Sequence, residues 1–250
     1  MPEFSEAFVA CIAQALRTAQ VPNVLWGHCL LNVHGVPSVI MSVDFVVRDD
    51  CLDVGAEAIG HVKGVAPCPD PAACPSSSPT RPTPPPSFHV HCEDSELVAG
   101  LYLQSDTLVF LPPLDHSLLH PTKLELPPHF VLASDQAVLP PWRPGRGTGL
   151  FKSSRDLIVV PKSHILLEAY MRLYARDFGK PVGNFGMAMI CYLEGYVDLD
   201  GLLDIQQLPG PLKTLYVELR DGRKPVRQWT NELRDALALP ELNRFQFEKC

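Results

Sequence analysis

Apolar residues recur at helical spacing near the N-terminus of the chain. Phe8, Ile12 and Leu16 lie four residues apart among strong helix formers, which predicts an amphipathic helix within residues 4–19 that starts at Ser5. The run VIMSVDFVV at 39–47 is dominated by β-branched residues and predicts the clearest strand. Further strands are expected at 24–25, 88–92, 97–104, 107–111, 130–133 and 157–160, and further helices at 29–34 and 53–63.

The second half of the chain is dominated by helical patterns. The longest, SHILLEAYMRLYARDFG, follows Pro161 and is closed by Gly179. Helical patterns continue at 184–197 and 229–239. This order predicts an α+β fold, in which a sheet with helices is followed by a helical C-terminal part. The expected parts are an α/β core at 1–139, a Gly/Pro-rich connector with a strand at 140–161, and the helical part at 162–250.

Proline is the main departure from ordinary globular composition. Nine of the 26 prolines of this 250-residue chain lie within residues 67–86, so we expect an exposed, partly mobile loop at 64–87. The chain is 46% hydrophobic, which is enough to form a core and excludes a disordered protein. No apolar run reaches the roughly 18 residues that span a bilayer, so a cytoplasmic protein with no membrane partner is expected.

The charge is distributed unevenly. The net charge is −7, yet residues 143–180 hold eight Lys and Arg against three Asp and Glu, so this segment is +5 and the remainder is −12. A locally basic surface on an acidic protein favours an anionic ligand, such as a nucleotide or one end of a tRNA, over duplex DNA.

The segment VLWGHCLLNVHGVPSVIMSVDFVV at 24–47 carries the most informative motif. A glycine turn at Gly27 and His28 is followed by thirteen residues and then by Ser42 and Asp44 on a strand. This order resembles the signature of the nucleotidyltransferase fold superfamily, in which a Gly-Gly or Gly-Ser turn faces a triphosphate and two carboxylates at i and i+2 hold magnesium. The resemblance implies a nucleotidyltransferase-like mixed sheet with helices. It also implies that Gly27 and His28 form an anion-binding turn and that Asp44 is a catalytic carboxylate, and Ser42 is a candidate substrate-binding residue.

Two residues depart from that signature. Ser42 stands where the first metal-binding carboxylate is expected, and His28 replaces the small second residue of the turn. A neutral hydroxyl cannot neutralise a two-metal centre. A retained scaffold with changed chemistry is therefore favoured over active nucleotidyl transfer, with a chance match as a third interpretation. Mg²⁺ stays a candidate cofactor, and no metal ligand is assigned.

Two further features could bind or transform a substrate. The stretch PGRGTG at 144–149, with Arg143, Arg146 and Lys152, can surround a phosphate, although a flexible connector explains it equally well. On the long helix a polar residue recurs every four positions, at His164, Glu168, Arg172 and Arg176. Such a stripe is usually a solvated face, but Glu168 and His164 are also candidate catalytic residues and Arg172 a candidate substrate ligand. A cleft between the two parts would make Asp44, Arg146 and Glu168 neighbours.

Cysteine and histidine supply a weaker candidate site. Cys68 and Cys74 lie six residues apart in the proline-rich loop, where two free thiols, a local disulfide and a metal site are all open. His89 and His91 alternate on one strand and could hold a metal with Cys92, although two surface histidines are the commoner case.

As a whole the chain resembles the large fungal families of nucleotidyltransferase-like proteins, and its type and size also suggest the fungal arginine-containing cyclodipeptide synthases. These synthases join two aminoacyl groups taken from tRNAs. The resemblance implies a transferase of secondary metabolism that acts on a nucleotide-containing or tRNA-borne activated substrate. A metal-dependent nucleotidyltransferase and a non-catalytic nucleotide-binding module are the alternatives.

Overall fold

The structure, a computed structural model, describes residues 5–78, 80–93, 95–152 and 157–239. The helices are α1 (Glu6–Thr18), α2 (Gly27–Val33), α3 (Leu52–Gly60), α4 (Gln104–Thr107), α5 (Ser163–Asp177), α6 (Gly183–Tyr192), α7 (Gly210–Arg220) and α8 (Val226–Ala236). The strands are β1 (Asn23–Trp26), β2 (Ser42–Val47), β3 (Val65–Pro67), β4 (Phe88–Cys92), β5 (Val98–Leu103), β6 (Phe130–Leu132) and β7 (Val159–Pro161).

A mixed five-stranded sheet forms the centre of the first part, in the order β1-β2-β5-β4-β3. Strands β2 and β5 run parallel, and the other neighbours are antiparallel. The predicted α+β class is confirmed, since helices follow this sheet in the second part of the chain. Among the described residues, no helix is both long and apolar enough to cross a lipid bilayer.

Local sequence patterns predicted several of the helices and strands at their observed positions. Helix α1 begins where Ser5 accepts a hydrogen bond from the backbone N–H of Phe8 at 3.2 Å, as its N-cap position predicts. The face of α1 that carries Ile12 and Leu16 is buried. The predicted strands at 39–47 and 88–92 correspond to β2 and β4, and the long helical pattern corresponds to α5.

Two predictions need correction. Residues 107–111 are not a strand: the chain turns after α4, and the side chain of Gln104 bonds the carbonyl oxygens of Leu111 and Pro112, at 3.4 and 2.9 Å. β5 already has β2 and β4 as neighbours, which leaves no partner edge there. The proline-rich loop is not simply exposed either, because it begins with edge strand β3 and Cys74 within it is buried.

One apolar core joins the two parts of the chain. It extends from Val9 on α1 through the central sheet to Leu233 on α8. Strand β7, from the predicted connector, pairs antiparallel with β6. Helix α5 packs on α6 and α8, and Trp229 of α8 stacks on Tyr174 with ring centroids 5.8 Å apart. This packing fixes α5 and α6 against the sheet and so positions the cavity described next.

Candidate functional site

A cavity of about 460 Å³ lies where the central sheet meets α5, α6 and the proline-rich loop. Its floor comes from β1, the start of α2 and β2, and its walls from β5, the α5–α6 region and the proline-rich loop. The lining residues that bear on the chemistry are Gly27, His28, Ser42, Asp44, Arg81, Tyr102, Arg176, Asp177, Lys180 and Phe185. This volume suits a small molecule or one end of a larger one.

Asp44 occupies the floor of this cavity, and only 4% of its surface is exposed. The strand registers place it opposite Trp26 on β1 and Gly100 on β5. A Cβ atom on Gly27 would lie 2.7 Å from Asp44 Oδ2, and one on Gly100 would lie 2.6 Å from Oδ1. The two glycines therefore create the space that the carboxyl group fills.

The environment changes the acidity of Asp44. Burial raises the pKa of Asp44 from its ordinary value of 3.8 to about 7. The hydroxyl of Ser42 donates to Asp44 Oδ2 at 2.5 Å, and this bond and the positive charge of Arg81 lower the pKa without offsetting the burial. A carboxyl group with a pKa near neutrality can take up and return a proton at physiological pH.

Aromatic side chains form one side of the site. Tyr170 on α5 packs between Trp26 and Phe185, with ring centroids 5.4 and 6.0 Å away. Its hydroxyl is buried and has no hydrogen-bond partner among the described residues, and burial together with the charge of Asp44 raises its pKa. Tyr170 is fully buried and is not among the lining residues, so it supports the cavity wall from behind Trp26 and Phe185, which do line it.

His28 has a structural partner. Its Nδ1 lies 2.5 Å from the hydroxyl of Ser38, and its ring meets Phe185 edge-on. Burial, with a smaller contribution from Arg81, lowers the pKa of His28, so the ring is neutral at pH 7. Gly27, beside it, gives clearance to Asp44. These contacts favour a role for the turn in shaping the cavity floor over direct binding of an anion.

Cationic side chains surround the opening of the cavity. Arg176 and Lys180 both contact the carboxylate of Asp177, at 2.7 and 2.9 Å, and Arg81 approaches from the proline-rich loop. Arg81, Arg176 and Lys180 carry three positive charges, whereas Asp177 and Asp106 carry two negative charges, and Asp106 also lines the cavity, 3.9 Å from Arg176. The lining at the opening therefore has an excess of one positive charge. This rim is suited to an anionic group of a ligand whose remainder enters the cavity.

The structure places Glu168 and Arg172 away from the cavity lining. Arg172 donates to Glu168 Oε1 from Nε and Nη2, at 2.8 and 2.7 Å, and its guanidinium covers the ring of Phe110. His164, at the other end of α5, is buried near Lys162 and Asp204, and burial lowers its pKa. The predicted stripe is thus divided into a buried helix end, an ion pair outside the cavity and Arg176, which does line the cavity.

The glycine-rich stretch is attached to α2. The amide groups of Gly147 and Gly149 donate to the carbonyl oxygens of Gly35 and Asn32, at 2.8 and 2.9 Å. A Cβ atom on Gly147 would lie 2.5 Å from the carbonyl oxygen of Val36, so only glycine fits this contact. Because these amides are already used, the arrangement favours the connector over the phosphate-binding loop.

The arginines of that stretch are also engaged. Arg146 binds both carboxylate oxygens of Asp200, at 2.8 and 3.0 Å, and Arg143 contacts the same carboxylate. The backbone N–H of Lys152 donates to the side chain of Glu6 at 3.0 Å. None of these three cations belongs to the cavity lining, so the expected meeting of Arg146 and Glu168 with Asp44 does not occur there.

Sequence reasoning did not single out several residues of the site. Gly100 sits inside a strand, where a glycine often marks the close approach of another group. Arg176 and Lys180 belong to the predicted basic segment, and Arg176 also belongs to the polar stripe of the long helix, but neither pattern places them beside Asp44. Arg81 lies in the proline-rich loop, where no local pattern marks it. The glycine inside a predicted strand indicates that some group approaches it closely, but it does not identify that group.

Magnesium fits this floor poorly. In the part of the chain that the structure describes, one group of three or more Asp, Glu, His or Cys side chains is close enough to share an ion, and it does not include Asp44. That group is Cys68, Cys74, His89 and His91. Mg²⁺ in proteins is usually held by one or two carboxylates together with substrate phosphates and waters, and Asp44 with a raised pKa is a weak ligand. We therefore derive no catalytic step through magnesium.

Comparisons with known proteins do not indicate a function for this chain. No family model matches the sequence, and no curated protein or solved structure matches it significantly. The cavity and its chemistry are thus the basis on which function is argued.

Proposed function

We propose that this protein is an acyl transferase that uses Asp44 as its general base and acid. The observation that carries the proposal is the buried carboxyl group of Asp44, with a pKa of about 7, on the floor of a cavity whose opening has more cations than carboxylates. A site that transfers protons at neutral pH and binds an anion at its entrance suits a reaction on an activated ester of a nucleotide.

The cavity indicates the class of substrate. Its walls are mostly apolar and aromatic, and Asp44 offers one negatively charged acceptor at the floor. An aminoacyl group fits this arrangement, because its amine or a guanidinium side chain can bind Asp44 while the attached ribose phosphate meets Arg81, Arg176 and Lys180. The proposed substrate is therefore the aminoacyl end of a tRNA.

Proton transfer at Asp44 completes the reaction. Ionised Asp44 removes a proton from the amine of one aminoacyl group, and the nitrogen forms a bond to the ester carbonyl carbon of the second. The bond between that carbon and the ribose oxygen breaks, and protonated Asp44 returns the proton to the departing oxygen. The same step within the resulting dipeptidyl ester closes a cyclic dipeptide.

The order of elements supports a nucleotidyltransferase-like scaffold for this chemistry. Strand β1, the glycine turn, α2 and β2 follow one another, and the turn lies directly against Asp44. The missing first carboxylate argues for acyl over nucleotidyl transfer, since phosphoryl transfer depends on metal ions that neutralise charge.

Incubation with aminoacyl-tRNAs carrying labelled amino acids tests this proposal. We expect the wild-type protein to release a labelled cyclic dipeptide, and Asp44→Asn to lower the rate by roughly 10²- to 10⁴-fold, the usual contribution of a general base. A parallel incubation with labelled nucleoside triphosphates and Mg²⁺ reports nucleotidyl transfer. Liquid chromatography with mass spectrometry identifies the products.

Glu168→Gln is the control variant, because it removes a carboxylate of the ion pair on α5, outside the cavity. Because Glu168 faces Arg172 and not the cavity, this variant should keep its rate within about threefold of wild type once its thermal stability is checked. Equal losses in both variants would contradict the assignment to Asp44. Ligand-induced stabilisation without turnover would instead indicate a non-catalytic binding module.

A further inference from the structure

Four side chains with metal-binding atoms meet at the edge of the central sheet. They are Cys68, directly after β3, Cys74 in the proline-rich loop, and His89 and His91 on β4. One ligand atom from each lies within 4.8 Å of the atoms offered by the other three. Both cysteines are free thiols in the structure, so their sulfur atoms are available to an ion.

Strand pairing brings these residues together. The antiparallel register of β3 and β4 sets Ala66 opposite His91, which places Cys68 at the end of β3 close to the histidines. His89 and His91 are two residues apart, so their side chains leave β4 on the same face. Cys92 is adjacent in sequence but is not in the group, because neighbouring strand residues point to opposite faces.

The spacing suits a tetrahedral ion. Cys74 Sγ and His91 Nε2 are 3.6 Å apart, and the rings of the two histidines are 5.2 Å apart between centroids. Zinc with Zn–S bonds near 2.3 Å and Zn–N bonds near 2.0 Å separates its ligand atoms by about 3.3 to 3.8 Å in a tetrahedron. The group is therefore already close to the dimensions of such a site.

His89 provides an independent observation. His89 is only 5% exposed, and its Nε2 is buried without a hydrogen-bond partner among the described residues. Its other nitrogen, Nδ1, lies 3.5 Å from the hydroxyl of Ser77. Buried ring nitrogens normally have partners, and metal-bound histidines usually bond a second group through the other nitrogen.

We propose that Cys68, Cys74, His89 and His91 form a structural zinc site. Two thiolates and two imidazoles are the ligand set that selects zinc, and four protein ligands leave no open position for a substrate. His89 binds the ion through Nε2 and is oriented by Ser77. This site is separate from Asp44, and its existence does not depend on the proposed acyl transfer.

The position of the ion assigns it a role in the fold. The loop between Cys74 and His89 carries Arg81, Pro84 and Pro85, which line the cavity of Asp44. Zinc would fix both ends of this loop. Between these two ends the loop is also held by the hydroxyl of Tyr102, which donates to the carbonyl oxygen of Pro84 at 3.0 Å. The ion would therefore hold one wall of the cavity in place.

Metal analysis of the purified full-length protein tests the site. Protein prepared under reducing conditions should contain about one zinc per chain by plasma mass spectrometry, and Cys68→Ser and His91→Gln should each lose most of it. Cys11→Ser and His61→Gln change exposed residues elsewhere and should keep the full amount. Circular dichroism checks that all four variants are folded.

A second measurement on the wild-type chain avoids the risk of misfolded variants. Protein stripped by a chelator should bind cobalt with the charge-transfer absorption of thiolate ligands, and zinc should then displace it. Two further thiols should react with an alkylating reagent only after stripping. Absence of both bound zinc and the cobalt band, or full zinc in Cys68→Ser and His91→Gln, would overturn the proposal. None of these readouts involves turnover, so a failed transferase assay leaves the zinc result unaffected.

Discussion

The wild-type protein should lose stability as the pH rises from about 4 to about 7, and Asp44→Asn should remove most of this loss. The folded protein holds Asp44 with a pKa of about 7, against 3.8 when it is exposed to water. Over this interval the unfolded chain has released the proton and the folded chain still binds it, so the free energy of unfolding falls as pH rises. A difference of about three pKa units corresponds to about 4 kcal/mol of unfolding free energy. The neutral amide of asparagine does not titrate, so the variant does not lose this stability as pH rises.

Urea denaturation at a series of pH values, with wild type and variant in parallel, measures this effect. The difference between the two curves is the informative quantity, because His34 has a pKa lowered by burial to about 4 and gives the opposite slope. At pH 8 we expect Asp44→Asn to be the more stable protein. Parallel curves for the two proteins would show that Asp44 is ionised at neutral pH.

Asp135→Asn is the matched control. Asp135 is also buried, but Lys123 and the amide of Ala137 bond it at 2.9 and 3.0 Å, and they hold its pKa below the ordinary range in spite of burial. The stabilisation from Asp135 is present above the pKa of the unfolded chain and is lost as pH falls through that of the folded protein. The Asp135→Asn difference should therefore have the opposite dependence on pH.

Gly27→Ala should have the second large effect, a loss of about 2 to 5 kcal/mol of stability together with loss of the cavity function. Gly27 has φ of 67°, a conformation that costs a residue with a Cβ atom about 1 to 2 kcal/mol. The added Cβ would also meet Asp44 Oδ2 at 2.7 Å. Forcing the carboxyl group aside adds about 1 to 3 kcal/mol.

Two other glycines separate the backbone cost from the contact with Asp44. Gly222 has φ of 61° and open space around its Cβ position, so Gly222→Ala should show the backbone cost alone. Gly100 does not have a positive φ, and its added Cβ would lie 2.6 Å from Asp44 Oδ1 and 3.2 Å from Pro86 Cβ, so Gly100→Ala should show the steric cost without the backbone cost. Chemical denaturation of the three variants gives the comparison.

A double-mutant cycle identifies Asp44 as the group that Gly27 accommodates. When Asp44→Ala is combined with Gly27→Ala, the carboxyl group is gone and the penalty of the glycine change should fall toward that of Gly222→Ala. We expect a coupling of at least about 1 kcal/mol between the two positions. Additive losses would mean that Gly27 is required for its backbone conformation and not for Asp44.

Local sequence determined much of the framework. The spacing of Phe8, Ile12 and Leu16 behind Ser5 was sufficient for α1, since capping and one apolar face act within a few residues. The β-branched run of β2 and the glycine turn before α2 likewise located Asp44 on a strand. The prediction failed at 107–111, where a strand-like composition met a sheet that had no free edge for it.

Tertiary structure alone decided which side chains share a site. Asp44 lies beside Gly100 only because β2 pairs with β5, and it shares a cavity with Arg176 and Lys180 only because α5 and α6 pack over the sheet. Side-chain type and local spacing reflect interactions between residues that are close in sequence. These contacts join residues more than fifty positions apart, so local patterns do not reveal them. The sequence alone therefore determined most of the elements and the candidate carboxylate. The packing of distant elements determined the pKa of that carboxylate, its cavity and the meeting of two cysteines with two histidines.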